Sequence, residues 1–413
     1  MTSTAKGYFA IRKQADNDTA VKPNKFIRAN DGDITKTVNH IKHKPLQNSK
    51  RWVQYTKPGK HDVDWDMNTD FDFNESVWTM WGALGTLATA DVSSATDDSA
   101  NRHTITVTEG SLPAFTVERA IGNVADTTND KQNYIVKRGL GVKVDQFTLQ
   151  AAEWEAVKLD GTLQMLSIFD QAILKSDAAS GSGVDLLLDD VEGLTTDDTV
   201  AIFDWTTLEE DAVASIDAAA KSIEIATLWA SFDKEETKVE LAAQTPSYGT
   251  PPQNASLFDI KVQMADNITA AASAAEINVD NITYNHQNNI QVVGWTKRRA
   301  NGRVDSTRPG ATIELKKVFT NKAEYDTRLR NKQQAIIITI DSGVVISATD
   351  TNNTTYKAII MCPNVIFDVY EIPTDNDAIY EIEATLEIVN DDTEGYAMKV
   401  LVDNAKIGTY YTG

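Results

Sequence analysis

Cysteine is nearly absent from this chain: among 413 residues only Cys362 carries a thiol. One cysteine excludes an intramolecular disulfide framework and fits assembly in a reducing compartment. Preceding Pro363, it reads as a small buried residue rather than a nucleophile. Histidine is scarce as well. His40, His43, His61, His103 and His286 are scattered and read as solvated, and no third ligand lies near the His40/His43 pair. Long apolar runs are missing, so no membrane-spanning segment is expected. The opening MTSTAKGYFAIRKQ lacks the apolar core of a secretory signal, so a soluble protein made inside a cell is expected. Cations are also in deficit: 39 Lys and Arg against 60 Asp and Glu give a net charge of −21. That balance argues against a sequence-unspecific nucleic-acid binder, which needs a basic footprint. Nucleophile elbow, phosphate loop, dinucleotide fingerprint and zinc spacing are all missing. No catalytic residue, cofactor or metal is assigned, and the chain is read as no enzyme.

What the chain does have is repetition. Residues 33–85 and 281–331 share one plan: an Asp/Asn-Ile-Thr segment, a charged hairpin, a Pro-Gly turn, an alternating strand and a short amphipathic stretch. Asp33-Ile34-Thr35 answers Asn281-Ile282-Thr283 at an offset of 248, and Pro58-Gly59 answers Pro309-Gly310 at 251. The firmest match sets 155–166 against 378–389 at an offset of 223. Val157, Leu159, Leu163 and Met165 share a face with Gly161, as Tyr380, Ile382, Leu386 and Ile388 do with Ala384. The opposite faces are polar: Lys158, Asp160, Thr162 and Gln164 against Glu381, Glu383, Thr385 and Glu387. A unit present twice in a long chain signals a duplicated domain.

The chain therefore divides into three. Residues 1–169 form the first unit, with strands expected over 8–13, 52–56, 62–73, 103–108, 114–120, 134–150 and 156–168. One helix is expected there, capped by Asn74, presenting Trp78, Trp81 and Leu84 on one face and stopped by Gly85. The Ala/Asp/Ser/Thr-rich 86–101 stretch reads as a mobile loop. Residues 170–254 read as an inserted acidic all-β domain, entered through a linker at 178–183 and left through 245–252. Between Asp185 and Glu240, sixteen acids face only Lys221, Lys234 and Lys238. Residues 255–413 form the second unit, with strands over 312–319, 335–340, 356–361, 364–372 and 378–389, a helix over 321–330 and a C-terminal arm.

Two local patterns invite chemistry and are read structurally. The acids from Asp62 to Asp72 alternate with apolar residues, but a calcium loop would need Gly and Glu where Met67 and Phe73 stand. The pattern is a strand with Val63, Trp65, Met67, Phe71 and Phe73 inward and acids outward. Asp66 falls opposite Lys316 on the repeat alignment, so the acidic face is not expected to recur. The cluster Lys297-Arg298-Arg299, with Arg303 and Arg308, is read as a salt-bridging hairpin that docks on an acidic neighbour.

This order of strand, short helix, strand, two long two-faced strands and closing strand resembles the major tail (tail tube) proteins of long-tailed phages. The resemblance rests on 62–73, 74–85, 103–108, Phe115–Gly122, 139–150 and 156–168, and again on 312–319, 321–330, 335–340, 364–372 and 378–389. It implies a mainly β fold: two tail-tube-like β-sandwich or barrel modules, each with a flanking helix, around a small inserted all-β domain. It implies self-association into stacked rings, trimeric here because each chain holds two modules, together with contacts to other tail proteins. DNA would pass without specific binding, no membrane would be engaged, and the place would be the virion tail after assembly in the host cytoplasm. The lumen would be lined by Lys158, Asp160, Thr162, Gln164, Glu381, Glu383, Thr385 and Glu387, with net acidity. Loops at 36–50 and 86–101 would join rings. The competing expectation is a multi-domain β adhesion protein binding a cell-surface ligand.

Overall fold

The computed structural model describes residues 7–43, 55–94, 97, 99–108, 110–122, 134–153, 155–204, 207–248, 254–296, 299–304, 309–318, 332–371 and 381–412. The first part runs β1 (Tyr8–Lys13), β2 (Lys25–Ile27), β3 (Asp31–His43), β4 (Tyr55–Asp70), α1 (Val77–Leu84), β5 (Gly85–Asp91), β6 (Asn101–Val107), β7 (Phe115–Gly122), β8 (Tyr134–Ala152), β9 (Lys158–Gln164) and β10 (Ser167–Phe169). A middle group holds β11 (Ala172–Ile173), β12 (Gly181–Leu187), β13 (Thr199–Phe203), β14 (Leu208–Asp217), β15 (Ser222–Leu228) and β16 (Lys238–Leu241). The last part has β17 (Ile260–Ala265), α2 (Ile268–Ala271), β18 (Glu276–Ile277), β19 (Asn281–Gln287), β20 (Gln291–Thr296), β21 (Arg299–Val304) and β22 (Gly310–Val318). It ends with β23 (Gln334–Val345), β24 (Thr355–Glu371), β25 (Glu381–Ile388), β26 (Lys399–Asn404) and α3 (Gly408–Thr412). The chain is mainly β.

The duplication is written in the pairing. In the first part the strands lie β3–β4–β9–β8, and in the last part β19–β22–β25–β24, every pair antiparallel. β8 then pairs with β19, joining both halves into one eight-stranded sheet. Behind it, β2–β1–β7 is matched by β18–β17–β23. The irregularities repeat too. β8 bulges against β9 between Val144 and Gln146, and β24 bulges against β25 between Phe367 and Val369. The extra residues are Asp145 and Asp368, an offset of 223 (368 − 145). A second bulge sits in β8 between Gly139 and Val142, opposite β7, and in β24 between Cys362 and Val365, opposite β23. Bulges re-aim a strand and are retained as designed features, so two in matching places bind the halves to one plan.

The register corrects the sequence alignment in detail. The offset of 223 between β9 and β25 holds, since Thr162 pairs with Asp66 as Thr385 pairs with Glu314. Asp66 therefore corresponds to Glu314, not Lys316, but Asp64 and Asp70 correspond to Thr312 and Val318, so the acidic face of β4 recurs at that one position only. Ile34 faces Trp65 as Tyr284 faces Ile313, so β3 and β19 correspond at 250 (284 − 34) rather than 248. Pro58-Gly59 lies within β4, paired with the far end of β3, rather than at a turn. Hairpin arms of different length shift the motifs without changing the face. β24 also runs unbroken through Pro363, where two strands are expected. Pro363 falls in the second bulge, the kind of place where a missing N–H is tolerated.

The buried alternation explains how the layers meet. Leu159, Gly161 and Leu163 are buried, as are Ile382, Ala384 and Leu386, with polar residues between them. The small residue has a purpose at Gly161: a Cβ there would lie 3.3 Å from Thr79 Cγ2, so α1 can seat on the sheet. All eight α1 residues are buried rather than one stripe. Its start is at Val77, not after Asn74, because buried Asp72 accepts from the Asn74 and Glu75 N–H groups at 2.8 and 3.0 Å. Gly85, at φ 105°, ends the helix as its sequence suggests. The expected helix over 321–330 lies outside the described residues. Both parts share a single apolar core rather than one each. β26 strengthens that union by pairing with β24 on one side and β6 on the other.

The expected mobile loop is strand over its first part and again at its last residue, Asn101. Residues 85–91 are β5, paired with β6. Beyond it Asp97 accepts from the Ser347 and Thr349 hydroxyls at 2.8 and 2.7 Å, and Asp350 accepts from the Ser94 N–H at 2.8 Å. Hydrogen bonds from Ser99, Thr349 and Ser347 hold the Asp97 carboxyl down to about 2. Likewise 36–43 belongs to β3.

The middle group forms a six-stranded sheet, β11–β16–β13–β14–β15–β12. Bonds from Lys175 N to Leu187 O and Asp189 N to Ile173 O bring β12 back to β11 and close it. The expected linker at 178–183 is part of this unit: Ala178 bridges to Phe232, and Gly181 begins β12. Its apolar core continues into Tyr8, Ala10, Phe26, Ala120 and Val136 of the first part. A buried ionic knot fixes the docking. Arg138 donates to Glu118 at 2.6 and 2.9 Å and to both Asp198 oxygens at 2.6 and 2.8 Å. Tyr8 and Gln244 donate to the other Glu118 oxygen at 2.6 and 2.8 Å. Burial alone would lower the Arg138 pKa, but Glu118 and Asp198 outweigh it and raise it. Replacing one member of such a set leaves uncompensated buried charge. Arg138→Met should therefore cost about 3–5 kcal/mol in urea unfolding, and proteolysis should nick the middle group first.

Candidate assembly surface

The eight-stranded sheet has an apolar face against the core and a polar face toward solvent. The sequence-assigned residues of the first half lie on that polar face: Lys158, Asp160, Thr162 and Gln164 are partly exposed on β9. Glu383 and Glu387 are exposed and Thr385 is partly exposed at the matching places on β25, while the Glu381 side chain lies outside the described residues. The register brings further acids in that sequence reading left out, Asp66 and Glu314 among them. A repeat alignment two residues different would have found Glu314.

Two grooves mark this face, of about 550 and 220 Å³. The first is lined by Asp31, Asp66, Asn68, Asp160 and Thr162, and the second by Asn281, Glu314, Lys316, Glu383 and Thr385. Member for member these are equivalent residues, so the grooves are one feature seen twice. Inside the first, Asn68 donates to Asp160 at 2.6 Å and Thr162 to Asp66 at 3.1 Å. Partial burial raises the Asp160 pKa. Lys158 is held by Glu155 at 2.7 Å, so its charge is offset locally. The face is thus acidic on balance and internally hydrogen-bonded.

Its two borders differ from its interior. Among the described residues, β3 pairs only with β4, and β24 beyond Val365 pairs only with β25. A strand edge exposes unpaired N–H and C=O groups that favour pairing with another strand. Val369, on the β24 border, is 37% exposed. Lys297, Arg298 and Arg308 of the basic cluster lie outside the described residues, and Arg299 and Arg303 belong to β21. No helix among the described residues is long and apolar enough to cross a membrane. No family model matches the sequence, and no curated protein matches it.

The seam between the halves is sealed from behind by histidine, contrary to the expectation of solvated rings. His286 of β19 is buried against Phe147 of β8, with ring centroids 5.5 Å apart. Its Nε2 lies 3.2 Å from Asn288 Oδ1, and Asn288 Nδ2 donates to Ala83 O of α1 at 2.9 Å and Val144 O of β8 at 3.0 Å. His103 is also buried, 3.0 Å from Asn404 Oδ1. Phe147 packs on His286 from another strand and Asn404 lies 301 residues from His103, which no local pattern reveals. The side chains of His40, His43 and His61 lie outside the described residues. Cys362 is buried, as expected, and burial pushes its thiol up. Burial pushes His286 down to about 4. The unfolded chain then binds more protons than the folded one below pH 6.5, so stability falls as pH drops from 6.5 toward 4. That contribution is roughly 3 kcal/mol. The drop in urea midpoint between pH 7.5 and 4.5 should be visibly smaller in His286→Gln than in the parent chain.

Proposed function

We propose that this chain is a structural protein that polymerises into stacked rings, forming the tail tube of a phage through which the genome leaves the virion. One observation carries the reading: two four-stranded halves join edge to edge into one sheet whose two borders have no further strand partner among the described residues. An edge-to-edge contact of this kind is heterologous, with a different surface on each partner, and repeats until a rotation closes the ring. Six such halves from three chains give twenty-four strands. At about 4.8 Å per strand and a tilt near 40°, the circumference is roughly 150 Å and the diameter about 48 Å. That leaves room for a hydrated DNA duplex once side chains are added.

The acidic face then lines the lumen, with Asp160, Glu383 and Glu387 among the residues that repel phosphate. A basic wall would hold DNA with salt-dependent affinity; an acidic one lets it slide. The apolar face and the outer strands build the wall, and the inserted barrel stands outside it. Such a protein needs no catalytic residue or cofactor.

Negative-stain microscopy of the purified chain should show tubes or stacked rings, and discrete small particles would instead support an adhesion or interaction role. Charge reversal by Glu383→Lys with Glu387→Lys should leave tubes intact and slow genome release by roughly tenfold at low salt. Unchanged release kinetics in the reversed particles would remove these residues from the lumen.

A further inference from the structure

The chain already contains one seam of the kind a ring needs. Along it Gln287 faces Gln146 and Asn285 faces Thr148. The Asn288 N–H donates to Asp145 O at 2.7 Å, and the Ile290 N–H donates to the Asp145 carboxylate at 2.6 Å. Asp145 is the bulge residue of β8, so the bulge carries a carboxylate aimed at the next strand's backbone.

Resting on the ring reading above, we infer that the seam between subunits copies this internal seam residue for residue. β8 maps onto β24 with an offset of 223 (369 − 146), and β3 onto β19 with 250 (287 − 37). Thr37 of one subunit therefore faces Val369 of the next, and Thr35 faces Glu371. Asp368, the bulge residue of β24, takes the place of Asp145. Its backbone oxygen accepts from the neighbour's Val38 N–H and its carboxylate from the neighbour's His40 N–H.

Three observations converge on this register. Asp145 and Asp368 are the same residue type at the same bulge, one capped inside the chain and the other exposed on an edge with no further strand partner among the described residues. β19 leaves its ladder with β22 after Gln287, and β3 is irregular between Val38 and His40, the corresponding place. Val369 is an exposed apolar residue on a polar face, where its counterpart Gln146 is covered by β19.

The bond from Asn288 to Asp145 marks a hydrogen-bonded pair, so Gln287/Gln146 and Asn285/Thr148 are the closer, non-hydrogen-bonded kind. Their Cα atoms lie about 4.5 Å apart, within the span of a disulfide. The test uses assembled particles of Thr37→Cys/Val369→Cys under mild oxidation, with remaining thiols alkylated before denaturation. Neighbouring subunits should link into covalent dimers and closed trimers on a non-reducing gel. In Thr35→Cys/Val369→Cys the partners are diagonal, roughly 7–8 Å apart, and should stay largely unlinked. Asp368→Ala should raise the critical concentration for assembly roughly tenfold, as losing a charge-assisted hydrogen bond implies, and Asp368→Asn should recover part of it. Tubes that link in the diagonal variant, or in neither, would overturn the register while leaving the tube reading standing. Absence of rings or tubes from the parent chain would overturn both.

Discussion

The ladder between β8 and β19 is the contact on which the architecture depends. It turns two four-stranded sheets into one and places an apolar face of both halves over a common core. Backbone groups at a strand border must find partners or stay in water. Inside the chain that demand is met by the other half. Helix α1, Asn288 and the buried ring of His286 then fix the seam from the core side, tying its position to packing as well as to hydrogen bonds.

The long strands do the rest of the shaping. β8 and β24 each serve two layers, pairing with β7 or β23 in one part and with β9 or β25 in the other. The change of layer occurs where bulges break the register, and both bulges are kept in both halves. Gly141, at φ 54°, lies beside the turn of β8, while Pro363 and Asn364 serve the same bend in β24. Different residues thus meet one geometric need, which is why the bend is conserved in form and hard to see in letters.

The sequence reveals most where side chains alternate without interruption. The faces of β9 and β25, their small residue and their common offset are all legible, because a period of two with one fixed side leaves little freedom. The inward set Val63, Trp65, Met67, Phe71 and Phe73 is legible for the same reason. Legibility fails where the deciding partner is remote. The 92–100 segment has a loop's composition, yet Asp97 and Asp350 lock it to residues about 250 positions away. Arg138, Glu118 and Asp198 give no local hint of meeting, and neither do His103 and Asn404. Hairpins of unequal length give β3/β19 and β4/β22 different offsets, 250 and 248, so no single alignment offset matches Ile34 with Tyr284 and Asp66 with its counterpart Glu314.

Covalent tandem arrangement also changes how a wall is made. With both halves on one polypeptide, their seam forms at the effective concentration set by the connecting chain, far above that of free subunits. In a three-chain ring, half of the joints are then complete before any two molecules collide, and stoichiometric alternation of the halves is guaranteed. Each half is also free to specialise. Only the first carries the acidic barrel, so a conduit with near six-fold symmetry inside would present three-fold ornament to the outside.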